Sequence, residues 1–104
     1  MTIHADPPKI NDIYFMVNGS KKKSVVQNYS VTVRCSFDRG YPQMDSTPNF
    51  VRTNGDVMKP IKEINDSHIK HVIASAQCED SGLVSCVMEG HNKTAPLLVE
   101  CESL

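Results

Sequence analysis

From Tyr29 to Phe37 every second residue, Tyr29, Val31, Val33, Cys35 and Phe37, is apolar or a thiol, while Ser30, Thr32, Arg34 and Ser36 between them are polar. Strict period-two alternation marks a half-buried antiparallel strand, because successive side chains leave a pleated strand on opposite faces. Cys35 is thereby directed into a core. A second alternating stretch sets Val84, Cys86 and Met88 against Ser85, Val87 and Glu89, so Cys86 also points inward.

The run Cys78-Glu79-Asp80-Ser81-Gly82-Leu83-Val84-Ser85-Cys86 places Glu-Asp-Ser-Gly-x-x-x-Cys before the second inward cysteine. Together with Cys35 on its own strand, this resembles the B and F strands of an extracellular immunoglobulin-superfamily domain of the I-set or V-set kind. The likeness covers nearly the whole chain, since the Gly40-Tyr41-Pro42 turn after strand B and an apolar strand G near Leu97 to Val99 follow in order. It implies an all-β fold, an immunoglobulin-like β-sandwich of two antiparallel sheets with Greek-key connections. Four cysteines allow three pairings by count alone. The resemblance implies Cys35 with Cys86, and Cys78 in the E–F turn with Cys101 at the close of strand G. The chain departs from the family pattern in two places. It has no tryptophan, so Phe50 is expected to fill the core position of strand C, and Val84 stands where a tyrosine is expected two residues before the second cysteine. Asp80 matches the family's acidic residue that pairs with a basic side chain near strand D, which here implies Lys59 or Lys62.

A chain of 104 residues with 39% hydrophobic residues builds one modest core. Residues 1–8 are expected to be an N-terminal extension, 9–101 the domain and 102–104 a C-terminal stub. The start lacks the charged-then-apolar pattern of a signal peptide, Met1 reads as an expression start on an excised domain, and no stretch approaches the apolar length of a membrane span. A net charge of -1 and 6% aromatic residues argue against nucleic acid as a partner, and direct membrane insertion is not expected.

Asn18-Gly19-Ser20, Asn28-Tyr29-Ser30, Asn65-Asp66-Ser67 and Asn92-Lys93-Thr94 all fit the N-glycosylation acceptor pattern. Seven asparagines and a serine-plus-threonine frequency of roughly one in seven would give about one such site by chance. The excess points to the secretory pathway. Asn28, read as an outward position of strand B, would carry a glycan without disturbing the core.

Strand A is expected over Ile10 to Val17 with Ile13, Phe15 and Val17 inward, then a turn from Asn18 to Lys23. Strand C covers Phe50 to Thr53 and ends at Asn54-Gly55, a strong hairpin signal. Val57 to Ile64 contains Pro60 and is therefore an edge. Strand E covers His68 to Ala74, strand F reaches about Glu89, and strand G runs from about Pro96 to Cys101.

No catalytic residues are expected, since no nucleophile sits with a base and a small sandwich offers little concavity. No metal or cofactor is expected either: His68 and His71 are three apart, which sends them to opposite faces of a strand. Lys21-Lys22-Lys23 is a candidate for a sulfated glycan or acidic partner, although three lysines in a turn are ordinarily a solvated loop. The binding face is expected on the outward side of strands G, F and C, with Val87 and Leu98 as an apolar centre and Ser85, Glu89, Glu100 and Arg52 as a polar rim. The chain is thus expected to be a non-enzymatic recognition or adhesion module, secreted or on the outer cell surface, binding a protein or glycan or a second copy of itself. Its rivals are a spacer domain without a ligand and a cytosolic muscle-type domain.

Overall fold

The computed structural model describes residues 6–42, 47–62 and 67–101. Their strands are β1 (Lys9–Val17), β2 (Ser20–Lys22), β3 (Ser24–Val26), β4 (Val31–Asp38), β5 (Asn49–Arg52), β6 (Val57–Met58), β7 (Ile61–Lys62), β8 (His68–Ile73), β9 (Gly82–Met88) and β10 (His91–Glu100). One sheet has the order β2-β1-β4-β8-β7 and the other β3-β10-β9-β5-β6. Neighbouring strands are antiparallel except β3, which runs parallel to β10.

The alternation of β4 is realised: Val31, Val33, Cys35 and Phe37 are buried, and Thr32, Arg34 and Ser36 face away from the core. On β9, Val84, Cys86 and Met88 are buried. Phe50 is fully buried and stands directly across from Cys86 in the β5–β9 register, so it fills the strand C position assigned to it. Val84 is buried where a tyrosine corner would otherwise form.

Three readings of the strands change. Tyr29 is 55% exposed because β4 begins only at Val31. Asn28 is not on a strand but in the preceding turn, with φ 74, where asparagine tolerates the left-handed region better than most residues. The segment from Asn18 to Lys23 is not a plain turn. Asn18 and Gly19 both have positive φ and close the tight β1–β2 hairpin, as the two central residues of a type I′ turn do.

On β1 the inward residues are Ile10, Ile13 and Phe15, spaced three and then two apart. A register shift between Ile10 and Asp12 accounts for the extra residue, and a bulge keeps both segments facing the core. Pro60 marks the place where the chain leaves one sheet after β6 and joins the other at β7, both edge strands. Ile69 and Ile73 are buried on β8 as expected. Side chains close the side of the sandwich between β1 and β10. The Ile10 amide donates to His91 Nδ1 at 3.0 Å, and Lys93 Nζ donates to the Asn11 carbonyl at 2.8 Å. Just ahead of β1, the Asp6 and Tyr41 backbones exchange hydrogen bonds beside Gly40. Any Cβ at Gly40 would collide with the Asp6 carbonyl.

Candidate functional site: the outer faces of the two sheets

Both disulfides are present, Cys35–Cys86 and Cys78–Cys101. The first is fully buried between the sheets; the second joins the single-turn 3-10 helix Cys78–Asp80 to the end of β10. Among the described residues no group of three His, Cys, Asp or Glu side chains could hold a metal, and no helix is long and apolar enough to cross a membrane. His68 and His71 lie in opposite phases of β8; the His71 ring bonds the Lys59 carbonyl, and His68 bonds Ser67 Oγ.

Asp80 is paired with Arg52 at the end of β5, not with Lys59. Lys62's side chain lies outside the described residues. Arg52 stands opposite buried Val84, in the inward phase, and its Nε also approaches Met58 Sδ at 3.2 Å. Arg52 therefore closes the end of the core and does not belong to an outward rim. Burial raises the Asp80 pKa, but the Gln77 amide at 2.7 Å and the Arg52 guanidinium outweigh it and hold the carboxyl below its ordinary value.

Register decides which outward residues share a patch. Val87 pairs with Asn92 on one side and Asn49 on the other, and is half-buried. Leu98, 57% exposed, pairs with Ser24 on β3. Six residues of β10 separate Asn92 from Leu98, about 20 Å of extended chain. Val87 and Leu98 therefore share a face but not a patch. Alternation had fixed the face; it carries no information on the row.

What lies between them is a band the sequence reading missed. Val51 pairs with Val57 on β6, and with Ser85 on β9. Leu83, two residues before Ser85, pairs with Pro96, and Leu98 follows two residues later on the same side of β10. Val57, Leu83 and Leu98 are 61%, 49% and 57% exposed, so the band is open to solvent. Ser85 and Thr94 hydrogen-bond each other at 2.7 Å beside it. Glu100 lies in the outward phase beyond Leu98, and exposed Glu89 sits in the β9–β10 turn, near Val87 rather than the band. Counting rows back from the Glu89-Gly90 turn would have exposed the Leu83–Pro96 pair in the sequence.

Of the glycan acceptors, Asn18 is exposed at the hairpin tip and Asn28 is exposed with its Oδ1 accepting from Gln77 Nε2 at 3.3 Å. Asn92 is exposed on β10 in the same outward phase as Val87, and Asn65 lies outside the described residues.

No family model matches the sequence, and no curated protein matches it. Solved structures do, and they agree on one architecture. A chimeric titin Z1Z2 carrying an exogenous peptide from decorin is 23% identical and aligns over 95% of this chain and 100% of that one, with a TM-score of 0.62. The titin domains Z1Z2 in complex with telethonin are 24% identical over 96% of this chain and 50% of that one, with a TM-score of 0.61. The first Ig domain of the mouse polymeric immunoglobulin receptor is 13% identical over 88% of this chain and 97% of that one, with a TM-score of 0.59. The fold is that of an immunoglobulin-like domain.

Proposed function

We propose that this chain is a non-enzymatic extracellular recognition module that binds a protein partner through the outward face of the β3-β10-β9-β5-β6 sheet. The observation that carries the reading is the apolar band of Val57, Val51, Leu83, Pro96 and Leu98. An exposed apolar patch rimmed by polar groups is a favoured place for protein contact. Among the similar structures, the titin Z1Z2 domains are seen in a complex with a protein, telethonin. The extracellular placement is supported by two disulfides and an excess of glycan acceptors, because disulfides persist in oxidising compartments. A glycan at Asn92 would stand over the Val87 end of the face and leave the Leu83–Leu98 end open. A spacer role without a ligand leaves the exposed band without a purpose, and a cytosolic muscle-type domain leaves the disulfides without one.

The test is photo-crosslinking from a benzophenone side chain at Leu83, compared with one at Thr32 on the opposite sheet, in the disulfide-bonded protein applied to cells. Protein adducts are expected from Leu83 and not from Thr32, and Leu98→Lys should remove them. Self-adducts with concentration-dependent sedimentation identify a second copy as the partner. Equal adducts from both positions, or adducts that survive Leu98→Lys, would refute the face.

A further inference from the structure

We propose that His91 is an acid-released latch that fastens β1 to β10 at the side of the sandwich. The two strands belong to different sheets, and among the described residues no backbone ladder joins them. Two β10 side chains do so instead, and both reach the bulge of β1. The register passes from Ile10 opposite Phe37 to Asp12 opposite Ser36, so Asn11 is the extra residue with no place in the β4 pairing. The Ile10 amide donates to His91 Nδ1 at 3.0 Å, and the Lys93 ammonium donates to the Asn11 carbonyl at 2.8 Å.

The bond to Ile10 exists in only one state of the ring. An amide N–H can only donate, so Nδ1 must carry a lone pair, which requires a neutral imidazole with its proton on Nε2. Protonation puts an N–H on Nδ1; donor then faces donor, and the bond is lost. The other described histidines are not constrained in this way. His71 faces the Lys59 carbonyl, so its ring donates and a second proton leaves that bond intact. His68 faces Ser67 Oγ, which can donate or accept. Among the described residues, His91 is the histidine whose contact is made by the neutral form alone.

The surroundings leave that contact in control. The strand opposite His91, β9, sets Met88 against it and carries no charged side chain. On β1, Lys9 and Asp12 flank the contact, and Lys9 stands across from Asp38. Lys93 is about 7 Å further along β10 in the same phase, and Glu89 lies in the turn before His91. Among the described residues no carboxylate is ion-paired with the ring. His91 is exposed, so protons reach it directly, whereas Ile10 is 2% exposed and its amide is poorly placed to take water in exchange. Histidine side chains ordinarily titrate at about pH 6.5, so the seam is fastened at neutral pH and loosened in a mildly acidic medium. Lys93 stays charged throughout and keeps its hold on Asn11, so acid opens the seam at Ile10. The device depends neither on the partner face nor on the compartment.

The experiment is amide hydrogen exchange followed by NMR in the disulfide-bonded protein, with protection factors compared between about pH 7.5 and about pH 5. Ile10 should lose about tenfold in protection in acid, and Asn28, whose amide is held by the Ala76 carbonyl, should lose none. Imidazole nitrogen shifts at the neutral end should show the His91 proton on Nε2. His91→Phe removes the acceptor, so Ile10 should exchange at both pH values as it does in acid in the wild type. His91→Asn puts an oxygen that does not titrate where Nδ1 stood, and should keep Ile10 protected at both. Equal Ile10 protection at the two pH values in wild type overturns the proposal. So does a proton on Nδ1 at neutral pH, or an acid loss that persists in His91→Asn.

Discussion

The two sheets are alike inside and different outside. Toward the core both present branched aliphatics, phenylalanine and one cysteine each, Cys35 on β4 and Cys86 on β9. Toward solvent one sheet carries Lys21, Tyr14, Arg34 and Lys70, and the other Val57, Val51, Leu83, Pro96 and Leu98. The inner pattern is fixed by the need to bury apolar surface, so every strand must obey it. The outer pattern is under no such demand, and it is there that the two sheets of a small sandwich can diverge.

The largest expected effect concerns what the sheets share. Phe50→Ala removes a fully buried ring beside the Cys35–Cys86 bridge and should cost about 3–5 kcal/mol, read by denaturant unfolding. A loss under about 1 kcal/mol would show that the two inner faces do not meet at Phe50. Replacing Cys78 and Cys101 together by alanine should cost about 3 kcal/mol, from loop-closure entropy over a separation of 23 residues, with little added for packing because both are exposed. A cost above that of Phe50→Ala would mean that the end of the sandwich, not its centre, holds the sheets together.

Asp80→Asn tests the ion pair that closes one end of the core, and about 1.5–3 kcal/mol is expected at neutral pH. The sign of the pH dependence follows from the lowered carboxyl pKa. The folded protein ionises Asp80 more readily than the unfolded chain, whose carboxyl titrates near 3.8, so the contribution is complete above that range and is lost as pH falls through the lower folded value. Urea unfolding from about pH 5 downward should therefore show a shallower acid loss in Asp80→Asn than in wild type. Equal acid slopes would contradict the pairing. The smallest effect belongs to the outer faces: Leu83→Glu with Leu98→Lys should change stability by no more than about 0.5 kcal/mol.

Much of the inner half was legible from sequence, because a period of two is visible in any strand of seven or eight residues. Cys35, Cys86, Phe50 and Ile69 could be placed on that ground or by family likeness. The three-residue strands β2 and β3 were not visible, since Ser20–Lys22 and Ser24–Val26 are too short to show a period, although Asn18-Gly19 announced the hairpin that contains β2. Asn54-Gly55, the stronger signal on paper, sits in a wider loop in which Gly55 but not Asn54 has positive φ. Arg52 was misplaced for a different reason. Its partner Asp80 is 28 residues away, and no local pattern tells a strand-end arginine that points to solvent from one that folds back over the core.

The central claim, that the outer face of the β3-β10-β9-β5-β6 sheet and not that of the other sheet makes the protein contact, is tested most directly by cross-linking from Val51 in the disulfide-bonded protein. Leu83→Glu with Leu98→Lys should abolish the adducts, and Thr32→Glu on the opposite sheet should leave them unchanged. Loss of adducts in both folded variants, or in neither, would contradict the account.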